Sequence, residues 1–178
     1  MTKYLAILRG INVGGKRKII MRDLKELFEE LGFGEVKTYI QSGNVIFDAE
    51  KEAEEKISEV IEKAIFERYG FQVPVICRRV AEIKTIIAEN PFFQQDETDV
   101  SRLHLTFLKE VPDTEKLKEI NSLDVSPDEF RIIKNNVYLY CSGRYSDTKL
   151  SNTFLEKKLD VQATTRNWKT VLKLVELS

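Results

Sequence analysis

Short apolar runs and amphipathic stripes alternate along this chain, and their order carries the fold. Residues 4–8 (Tyr-Leu-Ala-Ile-Leu) form an apolar run of strand length, expected to be buried on both faces. Met21, Leu24, Leu27, Phe28 and Leu31 recur at helical spacing, and Gly32 followed by Phe33 supplies a left-handed stop with an apolar residue to fold back on the last turn. Residues 36–40 and 45–47 are β-prone runs separated by Gln41-Ser42-Gly43-Asn44, which predicts a tight hairpin. Ala53, Ile57, Val60, Ile61, Ala64 and Ile65 predict a long helix whose solvated face carries Glu50, Glu52, Glu55, Glu59 and Glu62. Residues 73–77 then complete a β-α-β-β-α-β series, the split βαβ pattern of a ferredoxin-like sandwich.

The rhythm repeats. Ile83, Ile86 and Ile87 suggest a helix stopped by Asn90-Pro91, and residues 94–101 are polar and acidic, so a unit boundary is expected here. Residues 103–108 read as a strand, Pro112-Asp113-Thr114-Glu115 as a helix start, and residues 130–133 and 137–140 as strands flanking Asn135-Asn136. A helix over about 148–159 carries Leu150, Phe154, Leu155 and Leu159 on its apolar side. Residues 161–165 supply a last short strand, and Trp168, Val171, Leu172 and Val175 mark a closing helix. The expectation is an α+β chain of two tandem ferredoxin-like units with antiparallel sheets and a C-terminal helix: residues 1–80, a connector helix and acidic loop over 81–101, and residues 102–178.

Composition agrees with an ordered globular protein: 178 residues, 42% apolar and 32% charged, with four prolines and eight glycines. Lys and Arg number 28 against 29 Asp and Glu, so nucleic-acid binding would have to come from a local patch. Cys77 and Cys141 lie far apart in separate apolar runs, the placement of buried thiols and not of a metal site or disulfide framework. The first apolar run is too short for a signal peptide or a membrane span, so the expected location is the cytoplasm, with no membrane partner.

Candidate chemistry begins with Leu8-Arg-Gly-Ile-Asn-Val-Gly-Gly-Lys-Arg-Lys18, which gathers three glycines, four cations and an amide without any acid. Glycines let backbone N–H groups face a ligand, so the stretch reads as an anion cradle. It is not a credible P-loop: Arg17 stands where a Mg²⁺-binding Ser or Thr is required, and the split βαβ pattern predicts antiparallel strands. Ser146-x-x-Lys149 matches a serine-lysine pair of penicillin-binding proteins, but the Ser-Asp-Asn and Lys-Thr-Gly partners are absent, and Ser146 reads more simply as a helix cap. His104, the single histidine, reads as a hydrogen-bonded sheet residue. Trp168 reads as packing, Asn167 as a possible cap, and Arg166 as a fork of donors suited to phosphate or carboxylate.

Three stretches, Leu8-Arg-Gly-Ile-Asn-Val-Gly-Gly-Lys16, Thr38-Tyr-Ile-Gln-Ser-Gly-Asn-Val-Ile-Phe47 and Thr164-Thr-Arg-Asn-Trp168, together resemble a family of uncharacterised bacterial proteins, a domain of unknown function with duplicated ferredoxin-like halves. Asn90-Pro91-Phe92 and Lys149-Leu-Ser-Asn152 fit the same family. One departure is Thr148, where the family usually has Ser; the hydroxyl is kept. The resemblance implies the fold and no established activity or cofactor.

Split βαβ topology puts the exit of the first strand beside the hairpin that joins the second and third. Arg9, Asn12, Gly14, Gly15 and Lys16 should therefore neighbour Gln41, Ser42, Gly43 and Asn44. Lys149, Asn152, Arg166 and Asn167 are expected to join them if the halves dock to form a cleft. The leading expectation is a binding protein for a small anionic or nucleotide-like ligand. RNA or single-strand binding through Tyr4, Phe47, Tyr138 and Tyr140 is an alternative, not favoured because no RNA-recognition signature occurs. A phosphoryl or acyl transfer enzyme, with Lys16, Lys149 and Arg166 as charge stabilisers and Asp147 as the nearest carboxylate, is another.

Overall fold

A computed structural model describes residues 1–93 and 97–178; Gln94, Gln95 and Asp96 of the expected acidic connector lie outside the described residues. The chain divides into two units, one formed by Met1–Thr85 with Leu174–Ser178 and the other by Ile86–Lys173.

In the first unit β1 (Thr2–Leu8), α1 (Met21–Glu30), β2 (Gly34–Tyr39), β3 (Asn44–Ala49), α2 (Glu54–Tyr69) and β4 (Val75–Arg79) follow in order, and the sheet runs β2-β3-β1-β4. All three pairings are antiparallel. This is the ferredoxin-like arrangement, and its antiparallel β1 rules out a nucleotide P-loop on topological grounds. Tyr4, Ala6 and Leu8 alternate with Leu5 and Ile7; the first set packs with Leu24, Phe28, Ile57, Ile61 and Ile65 under the two helices. Leu5 and Ile7 are buried as well, so the strand is apolar on both faces. Gly32 ends α1 at φ +85, its N–H donating to Glu29 O while Phe33 N–H donates to Phe28 O, and the Phe33 ring lies 5.8 Å from that of Phe28. That is the left-handed stop with its apolar fold-back.

The second unit contains the end of α3 (Val80–Ala88), then β5 (Leu103–Leu108), α4 (Thr114–Asn121), β6 (Glu129–Ile133), β7 (Asn136–Tyr140), α5 (Asn152–Leu159), β8 (Ala163–Asn167) and most of α6 (Trp168–Glu176). Its sheet order, β6-β7-β5-β8, repeats the first. The same anchors recur. Leu8 N–H donates to Gly43 O and Leu108 N–H to Asn135 O, pinning each first strand to the hairpin beside it. Glu62 and Glu156 each accept the N–H that opens the fourth strand, from Val75 and Ala163. Arg78 and Arg166 occupy matching registers opposite Leu5 and Leu105, and each donates from Nη1 to the carbonyl of the residue before it.

Several boundaries differ from the sequence expectation for local reasons. The first hairpin loop is residues 40–43, with Asn44 already in β3, and the second is Lys134-Asn135, with Lys134 supplying the positive φ. Helix α5 starts at Asn152 and not near residue 148, because Ser151 Oγ accepts the Phe154 N–H and fixes the cap there. Ser146 is therefore no helix cap; it sits in a 3₁₀ turn, Tyr145–Asp147, and its hydroxyl donates to Asp147.

A half-buried glutamate, Glu54, faces the buried Arg78 at the start of α2. Glu54 accepts the Arg79 N–H at 2.9 Å and lies 3.7 Å from the Arg78 guanidinium, with Glu82 nearby. Burial pushes the Glu54 carboxyl up from 4.5 to about 7; the Arg79 N–H opposes this, Glu82 adds to it, and Arg78 opposes it. The folded protein thus holds a proton there that the unfolded chain releases, so this group's contribution to stability falls as pH rises from about 4.5 through about 7. Urea denaturation across that window should show wild type losing more stability than Glu54→Gln, whose neutral amide removes the titration. Parallel curves for the two proteins would contradict this assignment.

Candidate functional site

The connection from β1 to α1 runs over residues 9–20, whereas its counterpart from β5 to α4 needs only residues 109–113. The additional chain in the first unit folds as a small hairpin. Asn12 N–H donates to Arg17 O and Lys16 N–H to Val13 O, and the turn between them is Gly14 at φ +58 followed by Gly15 at φ +73. Two successive positive φ values are what a type I′ turn demands, which is why two glycines stand together. A Cβ at either glycine would meet nothing within 4 Å, so both backbones face open space.

One side chain holds this hairpin in place. The Asn12 carboxamide accepts the Ile19 N–H at 2.9 Å and donates from Nδ2 to Ile19 O at 3.0 Å and to Gln41 O at 2.9 Å. Both amide hydrogens are thereby committed to the chain, and Asn12 acts as a positioning residue. Asparagine also tolerates the backbone required here, φ +56. The expected adjacency of the glycine stretch to residues 41–44 is thus made through a side chain and, at Leu8, through the backbone.

Gly43 permits the close approach. At φ +86 its Cα faces β1, and an added Cβ would lie 2.7 Å from Ile11 Cδ1 and 2.8 Å from Leu8 Cβ. Asn44, fully buried, donates from Nδ2 to Tyr39 O and Ser42 Oγ, closing the hairpin loop from inside. Arg9 is half-buried, with its N–H on Pro74 O.

A groove of about 440 Å³ opens beside these residues, lined by Asn12, Gly15, Lys18, Ile19, Ile20, Met21 and Gln41. It reaches the start of α1, whose N-cap residue Ile20 offers no side-chain acceptor to the first-turn N–H groups. Lys16, Arg17 and Lys18 are exposed, and among the described residues none of them pairs with an acid. The acid in the first turn, Asp23, lies 3.8 Å from Arg22. In the second unit the matching helix is closed instead: Asp113 caps α4 by accepting the Glu115 N–H at 2.8 Å. Lys18, Ile20 and Met21 are not among the site residues expected from sequence, where Lys18 belongs to the basic stretch and Met21 to a helical stripe; the available signal is a helix start lacking Ser, Thr, Asp or Asn after a basic glycine stretch.

The second unit's candidates have structural partners. Asn152 Oδ1 accepts from the Thr165 hydroxyl at 2.6 Å, which also contacts Thr106 Oγ1 at 2.7 Å. Asn167 caps α6 by accepting the Thr170 N–H at 2.8 Å. The Arg166 guanidinium is buried, and that burial brings its pKa down to about 10. Lys149 is exposed beside Asp124 and Asp128. Burial works upward on the Asp128 carboxyl, but hydrogen bonds from Thr148 and Ser142 and the charge of Lys149 hold it below the usual range. Thr148 Oγ1 donates to Asp128 at 2.5 Å and accepts the Leu150 N–H, so the hydroxyl at that position orders the approach to α5.

His104 pairs in register with Asn167, stacks on Tyr145 at 4.7 Å, and is held below its usual pKa by burial. Cys77 and Cys141 are free buried thiols, pushed up by desolvation to about 12 and about 11. Tyr4 and Phe47 stack on each other in the helix-covered core, Tyr138 is fully buried with its hydroxyl donating to Ile86 O, and Tyr140 packs near Phe92. Trp168 is buried against Phe93. Among the described residues no group of three or more His, Cys, Asp or Glu could hold a metal ion, and no helix is long and apolar enough to cross a membrane.

Two substitutions separate packing from presentation. Gly43→Ala combines a disfavoured φ with overlap on Leu8 and Ile11 and should cost about 2–4 kcal/mol in chemical denaturation. Gly14→Ala meets no atom and should cost only about 1–2 kcal/mol. Equal losses would contradict the close approach at Gly43. Asn12→Ala should cost about 1–3 kcal/mol by stranding the Ile19 N–H and releasing the hairpin, with amide exchange rising locally over residues 12–20.

Comparison with solved structures finds a conserved bacterial protein, SP0830 from Streptococcus pneumoniae, at TM-score 0.78 and 24% identity over 99% of this chain and 98% of that one. The likeness is one of fold. Among curated proteins nothing matches. Residues 1–138 match the family described as Protein of unknown function (DUF1697), a span that includes the glycine hairpin, its Asn12 anchor and the first two hairpin loops. The chain belongs to that family.

Proposed function

We propose that the protein binds a small anionic ligand at the glycine hairpin, with Gly14 and Gly15 presenting backbone N–H groups and Lys16 and Lys18 supplying charge. The observation that carries this reading is the groove at the start of α1, where an uncapped helix end, a basic glycine turn and Gln41 meet. Helix N-termini and successive backbone amides favour negative charge, and lysine ammonium groups add to it without needing fixed geometry. The shorter connection in the second unit supports the assignment, since its helix end is occupied by its own aspartate. Nucleic-acid stacking is less favoured because Tyr4, Phe47 and Tyr138 are buried. A group-transfer reaction would need a general base, and the groove lining contains no carboxylate or histidine.

Isothermal calorimetry with inorganic pyrophosphate tests the reading. Wild type should bind, and the Lys16→Ala/Lys18→Ala double variant should lose about tenfold or more in affinity, with binding weakening as salt rises. Undiminished binding by the double variant, or none by wild type, would refute this site.

A further inference from the structure

The groove is larger than an anion needs. A phosphate group takes the space of a few waters, each about 30 Å³ in the liquid, whereas the groove measures about 440 Å³, a size typical of small-molecule sites. Its lining is divided. Asn12, Gly15, Lys18 and Gln41 are polar or basic, while Ile19, Ile20 and Met21 are apolar. Ile20 is 64% exposed although it is a large aliphatic residue next to a core position, Ile19, which is 2% exposed.

Two further exposed aliphatics gather at the same end. The Asn12 carboxamide joins Asn12, Ile19 and Gln41, and the sequence neighbours of those three residues are Val13, Ile20 and Ile40, which are 65%, 64% and 46% exposed. Ile40 also holds φ +51, a conformation that β-branched residues avoid. Strain and exposed apolar surface are both costly to keep, and together they mark a surface that works by contact.

Building on the anion site proposed above, we propose that its ligand is an organic phosphate monoester: the phosphate rests on the glycine turn and Lys18, and an apolar body lies along Ile20 and Met21, with Ile40 and Val13 at the rim. Neither half of the groove explains the other half's residues, and a ligand with one charged and one apolar end explains both. Methionine suits the apolar wall because its unbranched thioether adapts to different shapes.

Calorimetric titration with phenyl phosphate and with inorganic phosphate, each against wild type, Lys18→Ala and Ile20→Ala, tests the proposal. Ile20 is exposed, so its replacement leaves the core untouched. Phenyl phosphate should bind wild type about tenfold more tightly than inorganic phosphate, the gain expected for burying part of a ring. Ile20→Ala, which adds no acceptor to the open end of α1, should remove most of that gain and leave inorganic phosphate unaffected, while Lys18→Ala weakens both. Equal affinity of the two phosphates for wild type would overturn the organic-phosphate proposal and leave the anion site standing. Failure of both to bind would overturn the two together.

Discussion

The carboxamide of Asn12 is the interaction on which the proposed site depends. A glycine turn has little conformational preference of its own, and the cations on it repel one another, so the loop over residues 9–20 would spread over many conformations unless tied down. Asn12 ties it with hydrogen bonds to both backbone groups of Ile19 and to Gln41 O. These bonds fix the hairpin between the start of α1 and the β2-β3 loop, and they leave Gly14, Gly15 and the lysines facing solvent. Gly43 completes the arrangement by letting the neighbouring loop approach Leu8 and Ile11 closely.

The duplicated fold works as an internal comparison. Both units pin the first strand to the adjacent hairpin, both use a glutamate of the second helix to hold the start of the fourth strand, and both place an arginine at the same register. Those shared features belong to the architecture. The connection from the first strand to the first helix differs between the units, and the difference lies in length, charge and capping. That divergence is one reason for placing the proposed site in the first unit and not in the second.

Most of the fold was legible because strands and helices repeat at distinct periods, and the αL stop at Gly32 and the cap at Asp113 are local signals. Boundaries that depend on one competing hydrogen bond were less so: Ser151 outcompetes the residues upstream as the cap of α5, and Lys134 takes the left-handed position that Asn135-Asn136 suggested. The neighbourhood of the glycine stretch and residues 41–44 could be read from topology. The division of labour within it could not, since an amide at position 12 serves a ligand or the chain equally well, and only the positions of Ile19 and Gln41 show that it is spent on the chain. Ile20 and Met21 carry no motif; they enter the proposed site only because the start of α1 lacks a cap and Ile20 is exposed beside the half-buried Met21. Arg166 looked like a phosphate fork in sequence, and its burial and its bond to Thr165 O are consequences of tertiary packing.

Amide chemical-shift mapping during titration with inorganic phosphate tests the central claim most directly, because it reports residue by residue. The account predicts saturable shifts concentrated at Gly14, Gly15, Lys16 and the first turn of α1, with residues 109–113 unmoved. Shifts spread evenly over exposed lysines, or confined to the second unit, would contradict it.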